Sequence, residues 1–373
     1  MLTALCDFYD TGFHTGDSRS TGQWFCSEGV SQHRSVWPSD APTPSAFACA
    51  PPGIDMDYTA VTHTTTDRRL GRLPSGRAVS VTVHRYVGSP GPTVYIQAAQ
   101  HGIELNGPAA LRRLHDRLTD AAIAGTVLVI PVVNQLAFDH RSYMTPGEYD
   151  VMNPNLNRVW PGDESGSLQE QFAARLWELV KDADAAVDLH TGTADMLEHV
   201  RCRAGDPAAE RLAEAFGTSY RITDESEDTG DDGSGGTFRA AAAAAGIPVI
   251  TAELSNSRRI AQDAVAAGVD GIQNLLRERA VLPAEPEPHA GQTVLRNDAE
   301  PVTASESGLF ECRPDIAVGD TVDAGERLGA VYEPSSFEQQ QVVSATERGV
   351  IFSLARESVV VKGERLAGIA TPR

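Results

Sequence analysis

The sequence predicts an α/β protein: a mixed sheet flanked by helices, followed by a small all-β domain of barrel or sandwich type. Three observations predict it. Apolar runs of strand length alternate with amphipathic helical stretches through the middle of the chain, as in α/β sheets covered on both faces. The segment Pro283-Ala284-Glu285-Pro286-Glu287-Pro288 then reads as a linker. After it come short apolar runs broken by glycine, such as Gly308-Leu309-Phe310 and Gly349-Val350-Ile351-Phe352, the texture of a small β fold.

Taken in order, residues 1–55 stand apart. They are rich in Ser, Pro, Gly and Thr, hold Cys6, Cys26 and Cys49, and show neither helical nor strand periodicity. A disordered tail, a metal-binding extension using Cys with His14 or His33, and upstream sequence preceding a true start at Met56 are the three readings, and the last is favoured. A hydrolase domain is expected over residues 56–282. Arg77–His84 alternates like a strand, Thr93–Ala99 is a buried strand, and Gly125–Val133 is nearly continuous in apolar residues, as a central strand is. Gln169–Lys181 is an amphipathic helix with Phe172, Leu176, Leu179 and Val180 inward. Ala185–Leu189 is a strand, Ala208–Phe216 and Phe238–Ala245 are helices, Ile247–Leu254 is a strand and Arg258–Arg279 a long helix. The β domain is expected over residues 289–373. Its Val318-Gly319-Asp320-Thr321-Val322 turn resembles those of lipoyl-type domains, but Glu347-Arg348-Gly349 stands where a carrier lysine would be, so a structural or substrate-limiting cap is expected instead.

The formal charge is −20 over 373 residues, and Lys181 and Lys362 are the only lysines. Carboxylates in such number keep a surface hydrated in high salt, which screens their repulsion, so a halophilic protein is expected. Nucleic acid and anionic membranes are excluded as partners on charge. No apolar run approaches the ~20 residues that span a membrane. The N-terminus lacks a secretory pattern, and the five cysteines form no CxxC pair, so a cytoplasmic location is expected.

The chemistry centres on Gln100-His101-Gly102-Ile103-Glu104. His101 and Glu104 fall on the turn between a strand end and a helix start, where open α/β sheets place their sites. A His and a Glu three apart can close on one metal ion. His190, ending the run Ala185-Ala186-Val187-Asp188-Leu189, is the candidate third ligand. Two His and one Glu leave a coordination position open, the catalytic rather than the structural zinc pattern. Asp188, two residues before His190, shares its face on a strand and could orient a ligand. His63, His84, His115, His140, His199 and His289 lack such context and read as structural.

Four motifs in order, His-Gly-Ile-Glu, Asn-Leu-Asn-Arg, Asp-Leu-His and Thr-Ala-Glu-Leu, resemble the succinylglutamate desuccinylase/aspartoacylase family. The resemblance spans roughly residues 90–260, and the C-terminal β domain also fits it. It implies a zinc-carboxypeptidase-like fold and one Zn2+ per chain on His101, Glu104 and His190. It implies that Asn157 and Arg158 hold a substrate carboxylate, a task suited to a planar guanidinium. It implies that Arg141 lies near the scissile carbonyl and that Glu253 shuttles the proton. The family often has Asp where Asn155 stands. The expected function is a zinc-dependent deacylase cleaving the amide of a small N-acyl amino acid. The alternatives are a metallocarboxypeptidase acting on peptides and a non-catalytic metal- or carboxylate-binding protein. The expected partner is a small-molecule substrate; a homo-oligomer is compatible with the sequence, which fixes no oligomeric state.

Overall fold

A computed structural model describes residues 56–224 and 236–373, so the readings of residues 1–55 lie outside the described residues. Four neighbouring strands run parallel at the centre of the sheet: Ala122–Ile130, Ser89–Ala98, Ala185–Gly192 and Val249–Asn256. Ala78–Val87 and then Thr62–Arg72 extend the sheet antiparallel on one side. On the other side come His199–Arg203, Tyr220–Asp224 and Thr293–Arg296.

Side-chain alternation along these strands separates two cores. Val94, Ile96, Ala98, Val187, Leu189, Ile250, Ala252 and Leu254 face helices Asn106–Thr119, Pro207–Phe216 and Gln262–Glu278. Tyr95, Ile130, Ala186 and Val249 face the other way, onto Leu168–Val180 and Phe238–Ala244. Ser167 and Glu170 start the first of these helices with a reciprocal capping box, and Thr237 caps the second through the Ala240 amide. The helical layers come from the periodicities the sequence displays. The fold class expected from sequence is the one observed.

The chain beyond residue 289 forms two sheets around a core of Phe310, Leu328, Val331, Ile351 and Leu366. One is a separate four-stranded antiparallel sheet: Gln339–Ser344, Arg327–Tyr332, Gly308–Cys312 and Val359–Val360. The other is continuous with the main sheet. Thr293–Arg296 lies parallel to Tyr220–Asp224 and antiparallel to Arg365–Pro372, which in turn pairs with Gly349–Leu354.

Three strands carried no readable signal. Thr62–Arg72 is an edge strand, mostly exposed and rich in Thr and Arg, so it lacks an apolar stripe. His199–Arg203 and Tyr220–Asp224 are short, five residues each, and their charged residues interrupt any apolar stripe.

Candidate metal centre and active site

The site lies at the carboxyl ends of the parallel strands, on the face opposite the larger core. Period-two alternation puts Asp188 and His190 on one face of their strand, and Thr251 and Glu253 on the same face of the next. The register is direct: Thr251 pairs with Asp188, and Glu253 with His190. Gln97 on the preceding strand pairs with Asp188 as well. A row of polar side chains therefore crosses three strands whose other face is apolar.

The turn after Ala98 delivers His101 and Glu104. Ala99 adopts a left-handed φ of 55°, reversing the chain direction at the strand end. Gly102 does not use its conformational freedom here. Its need is space: a Cβ at that position would come within 2.0 Å of the Ala137 backbone. Helix Asn106–Thr119 is locked to the sheet at its first residue. The buried Asn106 amide donates to the Leu254 carbonyl at 2.6 Å and accepts from the Ala261 amide at 2.9 Å.

Both imidazoles turn Nδ1 toward Glu104. His101 Nδ1 is 2.9 Å from Glu104 Oε1, and His190 Nδ1 is 3.1 Å from Glu104 Oε2. The far nitrogens are held from behind. His190 Nε2 lies 2.8 Å from Asp188 Oδ2, and His101 Nε2 lies 3.2 Å from Asn155 Oδ1. Donation from each Nε2–H to these oxygens selects the tautomer that leaves Nδ1 with its lone pair inward. Asp188 is itself fixed by donors from Gln97 at 3.1 Å and Gln100 at 2.7 Å, and Gln100 by the Trp160 indole at 2.8 Å. Asn155 also accepts from the Asn157 amide at 3.0 Å, capping the short helix Leu156–Arg158.

The electrostatics call for a cation. Burial by itself would raise the Glu104 carboxyl, but the two imidazoles beside it prevail and hold it at about 2. Burial opposes charge on His190, yet Asp188 and Glu104 push its pKa well above the ordinary value. Glu104 Oε2, completely enclosed, has no hydrogen-bond partner among the described residues. One donor atom from each of His101, Glu104 and His190 lies within 4.8 Å of the others. Two imidazoles and a carboxylate, one of whose buried oxygens is otherwise unpartnered, form a donor set that fits a divalent metal ion.

The surrounding pocket holds about 180 Å³ and is lined by Asn157, Arg158, Arg201, Arg239 and Glu253, with Tyr143 near its metal end. Tyr143 stacks on His101, ring centroids 4.1 Å apart. Glu253 sits on the pocket floor, where burial raises its pKa, partly offset by the charge of His190. Arg201 and Arg239 share Asp224, at 2.9 and 2.8 Å. Burial works against ionised Asp224, but the two guanidiniums hold it at about 2.

The structure brings His101, Glu104, His190, Asn157, Arg158 and Glu253 to one cavity. Arg141 is placed differently. It is exposed, ends helix Gln135–His140 with a φ of 52°, and is not among the residues lining the pocket. Sequence reasoning missed Tyr143, Arg201 and Arg239. The signal for Arg239 was available: a single arginine in the alanine-rich helix Phe238–Ala244, which proves buried. The C-terminal region braces this wall. Strand Gly349–Leu354 pairs with Asp195–Met196, and Phe352 packs edge-on against the buried His199 and under Arg201. His140 meets the Tyr149 hydroxyl, and His289 meets the Ala290 and Glu214 carbonyls, all away from the cavity.

These features define the class first: an α/β protein whose polar site is built on the carboxyl ends of parallel strands and the turn that follows one of them. The comparisons then narrow it. Residues 90–279 match the Succinylglutamate desuccinylase/Aspartoacylase catalytic domain, and the chain belongs to that family. It is 29% identical over 305 residues to the N-alpha-acetyl-L-2,4-diaminobutyric acid deacetylase of Halomonas elongata, covering 79% of this chain and 86% of that protein. Among solved structures, it resembles the succinylglutamate desuccinylase/aspartoacylase of Rhodobacter sphaeroides. The two share 26% identity and a TM-score of 0.72, over 86% of this chain and 98% of the other. The product-bound ectoine utilization protein EutE (DoeB) of Ruegeria pomeroyi shares the fold. Its identity is 24% and its TM-score 0.73, over 85% of this chain and 97% of the other.

Proposed function

We propose that this protein is a zinc-dependent deacylase that hydrolyses the amide bond of a small N-acyl amino acid. The carrying observation is the strand register that sets Glu253 beside His190, on the face shared with the ligand set. Family membership and the Halomonas elongata deacetylase support the reaction class.

His101, Glu104 and His190 would hold the ion. Bound zinc would supply Lewis acidity, polarising the amide carbonyl and lowering the pKa of water. Glu253 takes the proton from the attacking water and delivers it to the amide nitrogen as the C–N bond breaks. A glutamate whose pKa is raised by burial is suited to both halves of that task, since it accepts a proton readily and can give it up again. Arg158 brings a guanidinium to the pocket wall of an otherwise acidic protein. It therefore selects a substrate bearing a free carboxylate. The relative's substrate makes N-acetylated 2,4-diaminobutyrate the first compound to assay.

The test is Glu253→Gln, which keeps the shape and removes the base. Turnover of the best N-acyl amino acid should fall by ~10²–10⁴-fold. Zinc content and affinity for the carboxylate-bearing product should remain at the parental level. A variant as active as the parent removes Glu253 from the mechanism, and loss of zinc would make it a ligand. Efficient release of C-terminal residues from unmodified peptides by the parent would replace the deacylase with a carboxypeptidase.

A further inference from the structure

Three histidines that read as structural in the sequence converge in space. His63 lies on Thr62–Arg72 and His84 on the neighbouring strand Ala78–Val87. His63 pairs with Tyr86, so His84, two residues earlier, is its diagonal neighbour on the same face. His115 reaches them from helix Asn106–Thr119, which covers that face. One ring nitrogen from each of the three lies within 4.8 Å of the others.

We propose that His63, His84 and His115 form a second metal site, separate from the first, which takes a divalent transition-metal ion of the zinc kind. His63 Nε2 and His84 Nδ1 are 3.2 Å apart. Two nitrogens at Zn–N distances near 2.05 Å in a tetrahedral shell are separated by about 3.3 Å, so this pair already has the spacing of two ligands on one ion. The Tyr86 hydroxyl, 2.7 Å from His115 Nδ1, holds that ring from behind. In the tautomer where it accepts from Nδ1–H, Nε2 keeps a lone pair, the relation that ligand histidines have with their outer partners. Burial pushes Tyr86 up to about 12, so its hydroxyl stays protonated and neutral.

Burial and then mutual repulsion lower the pKa values of His63 and His84. All three are half-buried, so an ion can reach them. An all-imidazole set selects zinc, copper or nickel over magnesium or calcium, which prefer oxygen. Three protein ligands leave one position for water. Bound metal would tie the edge hairpin to the helix that begins two residues after Glu104.

The test is zinc titration by calorimetry into the full-length chain after chelator treatment, comparing the parent with His84→Gln. The variant should bind one equivalent of Zn2+ fewer per chain, and its turnover should stay within about twofold of the parent's. Added to a chain that already carries His190→Ala, His84→Gln should remove one further equivalent, which keeps the result independent of the first site. His115→Gln should repeat it if His84→Gln folds poorly by circular dichroism. Equal stoichiometry in the parent and in the folded His84→Gln and His115→Gln variants would show that the three rings only stack, and would overturn the proposal.

Discussion

The two histidine clusters differ in how they handle charge. His101 and His190 surround a buried carboxylate and are backed by Asp188 and Asn155, and Glu104 Oε2 alone is left without a hydrogen-bond partner in that cluster. His63, His84 and His115 lie half-exposed, contain no carboxylate, and are backed by one neutral hydroxyl. The first cluster is short of a positive charge. The second holds no carboxylate and is short only of a centre. An ion should therefore be structurally required in the first and optional in the second, held more weakly and exchanged more readily.

The sharpest break between them is ligand loss. His190→Ala should abolish metal binding at the first site and lower turnover by more than ~10³-fold, since several kcal/mol of transition-state stabilisation go with the ion. His84→Gln should leave turnover near the parental level, and metal analysis with a deacylation assay separates the two. Next in size is the backing of the first cluster. Asp188→Ala should weaken zinc binding by ~10–100-fold, measured by competition with a chelator, because His190 loses both its orientation and the negative charge behind it.

A smaller effect is expected at Asn155. Asn155→Ala should cost roughly tenfold in zinc affinity, and Asn155→Asp should restore it, because either side-chain oxygen can accept from His101 Nε2. Failure of Asp to restore affinity would show that Asn155 acts only through its cap on Leu156–Arg158. The least effect belongs to the second cluster. Tyr86→Phe removes one hydrogen bond worth about 1 kcal/mol, so zinc affinity there should drop by about fivefold with no change in turnover.

The contrast also explains what the sequence could display. His101, Glu104 and His190 were legible because each stands where an apolar strand run stops, and strand ends are where such sheets place chemistry. Asp188 was legible through period two alone. Tyr143 and Arg201 were not, because their place in the cavity depends on which strands neighbour which; Arg239 stood out in its helix, but its meeting with Arg201 at Asp224 did not. The second cluster was hidden for a related reason. His63 and His84 are 21 residues apart on an edge hairpin without an apolar stripe, and their diagonal contact exists only once the register is known. Gly102 shows the reverse limit. Its presence in the ligand turn was readable, but its cause is the backbone of Ala137, 35 positions further on.

The seam between Tyr220–Asp224 and Thr293–Arg296 has a consequence for how this chain can be divided. The proline-rich segment at residues 283–288 invites a cut there. A chain ending before Thr293 would leave Tyr220–Asp224 with a bare row of amide donors and carbonyl acceptors, and would uncover Ile222, which packs with Leu295 and Phe352. Such a fragment is a template for its own copies. It should self-associate in proportion to its concentration rather than act as a roomier catalyst. The heritable unit therefore runs through the proline linker: exchange with a related protein would have to carry Thr293–Arg296 along with the site it borders.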